Sequence, residues 1–201
     1  AGNMLIGTGN NYHIYDNDFW YNDKAIYMSN TSNSEVYNNT FNLSVSDYDG
    51  YNTPIVIERS SENISVYNNT MNDAGTFGVY VRQSINVSVF DNYIDLINRP
   101  QYSSEMPWRD SNEMPCAFGV VENYKTWTGD SQEGPDDNIS RISMFASDQI
   151  NFYNNTFGNG VQCFIHNQGS NITHDLDSST YYYIKYQFPD YLVDYNEIWI
   201  N

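Results

Sequence analysis

The chain has 201 residues, with eight Lys or Arg against 25 Asp or Glu and a formal charge of −17. So few cations among so many carboxylates exclude a nucleic-acid-backbone binder, which needs a basic face. A hydrophobic fraction of 40% and an aromatic fraction of 16% exclude a disordered acidic tail and supply the apolar area for a core.

In chain order, Ala1-Gly2-Asn3-Met4 carries no charged and apolar signal region, so the chain reads as mature or excised. Leu5 and Ile6 read as the middle of a repeating unit. One motif then recurs as Ile14-Tyr15-Asp16-Asn17-Asp18-Phe19, Val36-Tyr37-Asn38-Asn39-Thr40-Phe41, Val66-Tyr67-Asn68-Asn69-Thr70-Met71, Val89-Phe90-Asp91-Asn92-Tyr93-Ile94 and Phe152-Tyr153-Asn154-Asn155-Thr156-Phe157. Its second Asn is spaced by 22, 30, 23 and 63 residues. Those spacings predict coils of 22 to 30 residues, with at least one extra coil and insertions inside the long gap.

Short strands lie between the copies: Ala25-Ile26-Tyr27-Met28, Ile55-Val56-Ile57, Val79-Tyr80-Val81, Phe118-Gly119-Val120-Val121, Ile142-Ser143-Met144 and Val161-Gln162-Cys163-Phe164-Ile165. Alignment on the polar residue after each puts Ile26, Ile57, Val81, Val120, Met144 and Phe164 in one inward column. Two strands per coil are therefore expected, each with one buried face. Residues 177–201 break the repeat with Tyr181-Tyr182-Tyr183-Ile184-Lys185-Tyr186-Gln187-Phe188 and Ile198-Trp199-Ile200, and read as an aromatic cap or subunit-contact arm.

Short strands at a fixed period, with turns rich in Asn, Asp, Ser and Gly, cannot bury their faces singly; stacked coils can. The chain resembles the right-handed parallel β-helix repeat proteins, in particular Asn-rich archaeal (methanogen-type) adhesin-like or surface-layer proteins, through stretches such as Asn63-Ile64-Ser65-Val66-Tyr67-Asn68-Asn69-Thr70. The expected fold is all-β: a right-handed single-stranded parallel β-helix of about six or seven coils over residues 1–176, with insertions at about 97–115 and 122–138. The resemblance implies a non-catalytic extracellular cell-surface module for adhesion or structure, self-assembling head to tail into a filament or sheath. The alternative is a protein that binds or cleaves polysaccharide, as lyase or hydrolase, through its insertion loops. Its expected partners are further copies of itself, other surface proteins or glycans, with no nucleic acid and no membrane insertion: no apolar run approaches the roughly 18 to 20 residues of a span.

Asn17, Asn39, Asn69, Asn92 and Asn155 predict a ladder of side-chain amides at a tight corner. Just before it, Tyr15, Tyr37, Tyr67, Phe90 and Tyr153 form an outward aromatic column, either reinforcing the sheet or offering a platform to a glycan or neighbouring subunit. Carbohydrate or partner binding is expected in the insertions at Tyr102, Trp108, Asp110, Tyr124 and Trp127, where tryptophan beside carboxylates suits sugar stacking with hydrogen bonding; anchoring of the loops themselves is the structural alternative. Glu58 and Arg82 read as an exposed ion pair, and no residue is assigned a catalytic role.

Nine sequons begin at Asn30, Asn38, Asn42, Asn63, Asn68, Asn86, Asn138, Asn154 and Asn171, candidates for glycosylation in a secreted protein. His13, His166 and His174 lack paired ligand spacing. No cofactor is assigned; Asp47, Asp49, Asp136 and Asp137 are the calcium candidates, in loops rich in oxygen donors. Cys116 and Cys163 are expected on one sheet two coils apart, about 10 Å, too far to pair.

The charge of −17 generates a prediction. Self-association should strengthen when salt or calcium screens the repulsion; sedimentation across a salt series checks it, and steady weakening would instead indicate attraction between unlike patches.

Overall fold

The computed structural model describes residues 4–20, 24–42, 53–75, 77–96, 116–121, 147–158, 163–167, 170–176, 181–186 and 195–200. The described chain is built from strands wound into coils. Coil one contributes β1 (Met4–Ile6), β2 (Gly9–Asn10), β3 (His13–Tyr15) and β4 (Asp18–Trp20). Coil two contributes β5 (Ile26–Ser29), β6 (Thr31–Tyr37) and β7 (Thr40–Asn42), and coil three β8 (Ile55–Glu58), β9 (Glu62–Tyr67) and β10 (Thr70–Ala74). Coil four holds β11 (Phe77–Arg82), β12 (Ile85–Phe90) and β13 (Tyr93–Leu96); coil five β14 (Cys116–Val121), β15 (Asp148–Tyr153) and β16 (Thr156–Phe157). Coil six holds β17 (Cys163–Asn167) and β18 (Ser170–His174), and an antiparallel pair follows, β19 (Tyr181–Tyr186) and β20 (Tyr195–Ile200).

Three sheets run along the stack. The first is ordered β1-β5-β8-β11-β14-β17-β20-β19, the second β2 and β3 then β6-β9-β12-β15-β18, and the third β4-β7-β10-β13-β16. Every pairing between coils is parallel, and only β17–β20 and β19–β20 are antiparallel. This is a parallel β-helix.

Three strands per coil replace the expected two. The recurrent motif is two strands joined by a corner: Asp16, Asn38, Asn68, Asp91 and Asn154 have φ of 53 to 57°, a left-handed conformation that Asn and Asp tolerate best among residues with a Cβ. The residue before the ladder makes the bend, and the ladder residue follows it.

The long gap also resolves differently from the expectation of an extra coil. β12 pairs directly with β15 and β13 with β16, so Asn92 and Asn155 occupy neighbouring coils and the 63-residue interval is a single coil with insertions. In the first sheet β14 pairs directly with β17, which makes Cys116 and Cys163 register partners on adjacent coils. The expected separation of two coils is thereby corrected to one; Ile142–Met144, expected as a strand, lies outside the described residues. The register also pairs Met28, not Ile26, with Ile57, a shift of two that leaves the inward face unchanged.

The core is a column of like on like. Ile26, Met28, Ile55, Ile57, Val79, Val81 and Phe118 of the first sheet meet Val36, Ile64, Val66, Val87, Val89, Ile150 and Phe152 of the second, all at most 2% exposed. Phe19 stacks on Phe41 at 5.0 Å between ring centroids, and Phe118 packs on Phe152 at 4.2 Å. Each buried aliphatic or aromatic side chain contributes about 1.5 to 3 kcal/mol of transfer free energy.

Between the second and third sheets the amides form a continuous chain of hydrogen bonds. Nδ2 of Asn17 donates to Asn39 Oδ1, Asn39 to Asn69, Asn69 to Asn92 and Asn92 to Asn155, at 3.0 to 3.1 Å. The backbone N–H of each donor residue also donates to the same oxygen. The second Nδ2 hydrogen serves backbone carbonyls, as where Asn69 donates to Val36 O and Tyr67 O. Asn39, Asn69 and Asn92 are 1% exposed, so these bonds satisfy polar groups that have no access to water.

Asn69→Ala should therefore destabilise the fold by at least about 2 kcal/mol, since it strands buried carbonyls and the Asn39 donors together. Asn17→Ala, at the partly exposed end, should cost less. Chemical denaturation of both variants checks the ordering.

Candidate functional site

The outer face of the second sheet is the most regular surface of the described chain. Strand alternation sends Val36, Val66, Val89 and Phe152 inward and their neighbours outward. Tyr15, Tyr37, Tyr67, Phe90 and Tyr153 are successive register partners. Their rings stack at centroid separations of 4.8 to 5.0 Å with planes within 8° of parallel. Each ring's face is occupied by the next, so the column presents ring edges and hydroxyls to solvent.

A polar column runs beside it: His13, Glu35, Ser65, Ser88, Asn151 and Thr173 are partnered in turn. At its start His13 Nδ1 lies 3.2 Å from Glu35 Oε2, both groups well exposed. From Ser65 onward this column has no charged member. Beyond it lies an amide row that sequence reading did not single out: Asn63 Nδ2 donates to Asn33 Oδ1 at 3.0 Å and Asn86 Nδ2 to Asn63 Oδ1 at 2.7 Å. Asn33, Asn63, Asn86, Gln149 and Asn171 all have φ of 49 to 56°. The recurring left-handed position inside β6, β9, β12, β15 and β18 was the available signal, carried by Asn two residues ahead of Ser, Thr or Glu in four of these strands and by Gln149 ahead of Asn151 in β15.

Two tyrosines of this face, Tyr37 and Tyr67, hold their protons more tightly than a free phenol. Burial, then the neighbouring Tyr15 and the Glu35 carboxylate, raise the Tyr37 pKa; burial and then Glu35, whose Oε2 accepts from the Tyr67 hydroxyl at 3.4 Å, raise that of Tyr67.

A second cluster sits on the outer face of the first sheet. Ile55 and Ile57 point inward, so Val56 and Glu58 point outward, yet they are only 3% and 6% exposed. The Tyr27 hydroxyl donates to Glu58 Oε1, Arg59 Nε donates to the same oxygen at 2.9 Å, and Arg82 Nη1 approaches Oε2 at 4.0 Å. Lys24 lies over the Tyr27 ring at 5.6 Å. The expectation of an exposed Glu58–Arg82 pair is thus corrected: the carboxylate is buried and shared among three partners, because Tyr27 of the preceding coil covers it. Gly119 leaves room here for the Phe77 ring, which a Cβ would meet at 2.8 Å. Arg82 is the register partner of Val121, the last described residue before residue 122.

The other expected positions divide as follows. Tyr102, Trp108, Asp110, Tyr124, Trp127, Asp47, Asp49, Asp136, Asp137 and Asn138 lie outside the described residues. Of the remaining sequon asparagines, Asn30, Asn38, Asn63, Asn68, Asn86, Asn154 and Asn171 have positive φ, so the backbone itself calls for Asn there. Asn42 is the exception; its Oδ1 accepts from Asn72 Nδ2 at 2.9 Å. Among the described residues no group of three or more His, Cys, Asp or Glu side chains could hold a metal ion, and no helix is long and apolar enough to cross a membrane.

Stacked parallel coils with exposed polar rows define the class, a β-solenoid. Residues 1–118 match the family described as periplasmic copper-binding protein (NosD). That match spans more than half of the 201 residues, and the chain belongs to this family. No curated protein and no solved structure matches it.

The half-buried Tyr27 phenol gives a pH prediction. Burial first, then its hydrogen bond to the Glu58 carboxylate, pushes Tyr27 from 10.0 up to about 12. Folding favours its protonated form, so the contribution is complete below pH 10 and is lost as pH rises through about 12. Tyr27→Phe should flatten the fall in stability over that alkaline window, read by denaturation at stepped pH, and should remove one late step from the phenolate absorbance titration.

Proposed function

We propose that the protein is an exported, non-catalytic surface module that adheres through the outer face of its second sheet to a neutral, hydroxyl-rich polymer such as a polysaccharide. The observation carrying this reading is the uncharged strip from coil three onward: Ser65, Ser88, Asn151 and Thr173 between Tyr67, Phe90 and Tyr153 on one side and Asn63 and Asn86 on the other. Such a strip on a chain of charge −17 suits a neutral partner, since an acidic one would be repelled. Tyrosine gives rigid contact area at low entropic cost, while Ser and Asn give adaptable hydrogen bonds; the stacked rings and linked amides hold both in place before binding. The family's description as periplasmic supports export. It also names copper, but among the described residues no group of three or more His, Cys, Asp or Glu side chains could hold a metal ion, and Met28 and Met71 are fully buried in the apolar core.

Membership in an adhesin-like surface group and display of N-glycans belong to the same reading. Neighbouring coils lie about 4.8 Å apart, narrower than a sugar residue, so glycans fit on at most one of Asn38 and Asn68 and one of Asn63 and Asn86. Head-to-tail polymerisation draws less support, because the first sheet continues past β17 into antiparallel β20 and β19 rather than ending on a parallel edge. Cleavage of polysaccharide through the insertions is the competing reading, favoured by the proximity of the Glu58 cluster to the strand from which the second insertion departs.

Affinity electrophoresis against neutral and acidic polysaccharides tests the proposal. Retardation by a neutral polymer is expected, with Ser65→Asp/Ser88→Asp weakening it at least about tenfold. Binding confined to acidic polymers, or indifferent to both substitutions, would sink the assignment of this face; release of new chain ends from the polymer would establish the enzymatic reading instead.

A further inference from the structure

We infer that Cys116 and Cys163 form a disulfide that staples coil five to coil six. The two residues are direct register partners on the hydrogen-bonded parallel strands β14 and β17. Neighbouring strands lie about 4.8 Å apart, inside the roughly 4.4 to 6.8 Å that Cα atoms of a disulfide span. Partnered positions of a parallel ladder share one face of the sheet, so the pairing requires no change of register. They are also the whole cysteine content of the chain, which leaves no competing intramolecular partner.

The placement has a physical purpose. Coil six is the last parallel level, after which the first sheet turns antiparallel, and terminal units fray most readily. Positions 116 and 163 are 47 residues apart in sequence, enclosing the second insertion together with β15 and β16. A covalent closure removes the loop entropy that this long excursion otherwise returns on unfolding.

The oxidation proceeds by exchange with a donor disulfide, either an exported thiol–disulfide oxidoreductase or oxidised glutathione. One cysteine thiolate attacks a donor sulfur, giving a mixed disulfide and releasing one donor thiol. The second thiolate attacks the protein sulfur of that mixed disulfide, forming the Cys116–Cys163 bond and releasing the second donor thiol. The two protein thiols surrender two protons and two electrons, and the donor disulfide takes them up. Export matters only to the source of oxidant in the cell, so the bond can be tested independently of the adhesive reading.

The test uses the purified full chain, reduced, desalted and exposed to oxidised glutathione while folded, then unfolded in guanidinium with an alkylating agent and weighed intact. The expected product is a monomer two hydrogens lighter than the reduced chain. Its alkylation is at least about tenfold lower than that of an unoxidised control and is restored at both cysteines by reductant. Peptide mapping should join the segments holding Cys116 and Cys163, and Cys163→Ser should stop at a single glutathione adduct. Two glutathione adducts on the folded wild-type chain, two free thiols, or a disulfide between two copies would each overturn the inference.

Discussion

Stacking at the interstrand spacing is the constraint on which the molecule depends. Each paired residue of one coil lies directly over its counterpart in the next, about 4.8 Å away, so a buried side chain fits best where it can sit against another of its kind. Aliphatic residues meet this condition by dispersion, aromatic rings by parallel offset, and carboxamides by donating one hydrogen to the oxygen above. Isolated charges do not meet it, because like charges at this spacing repel. Glu35, in the polar column, is accordingly flanked by His13 and Ser65 rather than by another carboxylate.

That condition explains why one residue type serves two different roles here. Asn appears at the left-handed corner, where its backbone tolerance matters, and again one position later, where its side chain links coils. Seven sequon asparagines hold positive φ, so the frequency of Asn-X-Ser/Thr is first a consequence of coil geometry. The polar face proposed for binding arises from the same rule, since Ser, Thr, Asn and Tyr are the polar residues that stack on themselves without charge. Adhesion would then exploit a surface whose order was already demanded by folding.

The buried Glu58 cluster marks the place where the rule is broken. One carboxylate on an outward position is followed in the next coil by Arg82 and preceded by Tyr27 below its own neighbour. Mixed columns need specific partners, and these bring a phenol with a raised pKa and three cationic side chains into a chain otherwise dominated by negative charge. This local departure lies on the same sheet as β14, between the two long insertions, so irregularity in sequence and irregularity in chemistry coincide.

Much of the fold was legible in the sequence, because recurrence at 22 to 30 residues and period-two hydrophobicity reflect forces that act within one coil. The solenoid class, the inward Val36, Val66 and Val89 column and the outward tyrosines follow from those local patterns. What lay beyond it were decisions made between coils. Whether the 63-residue interval formed one coil or two depended on which strands actually hydrogen-bond, and that choice alone moved Cys163 beside Cys116. The third sheet was hidden because a left-handed corner leaves no gap in the hydrophobic pattern. The Glu58 cluster was hidden because burial of an outward carboxylate is set by the neighbours above and below it. Sequence determined the repeating unit, through backbone tolerance and side-chain period; tertiary structure decided which units became neighbours, through pairing over distances that no local pattern encodes.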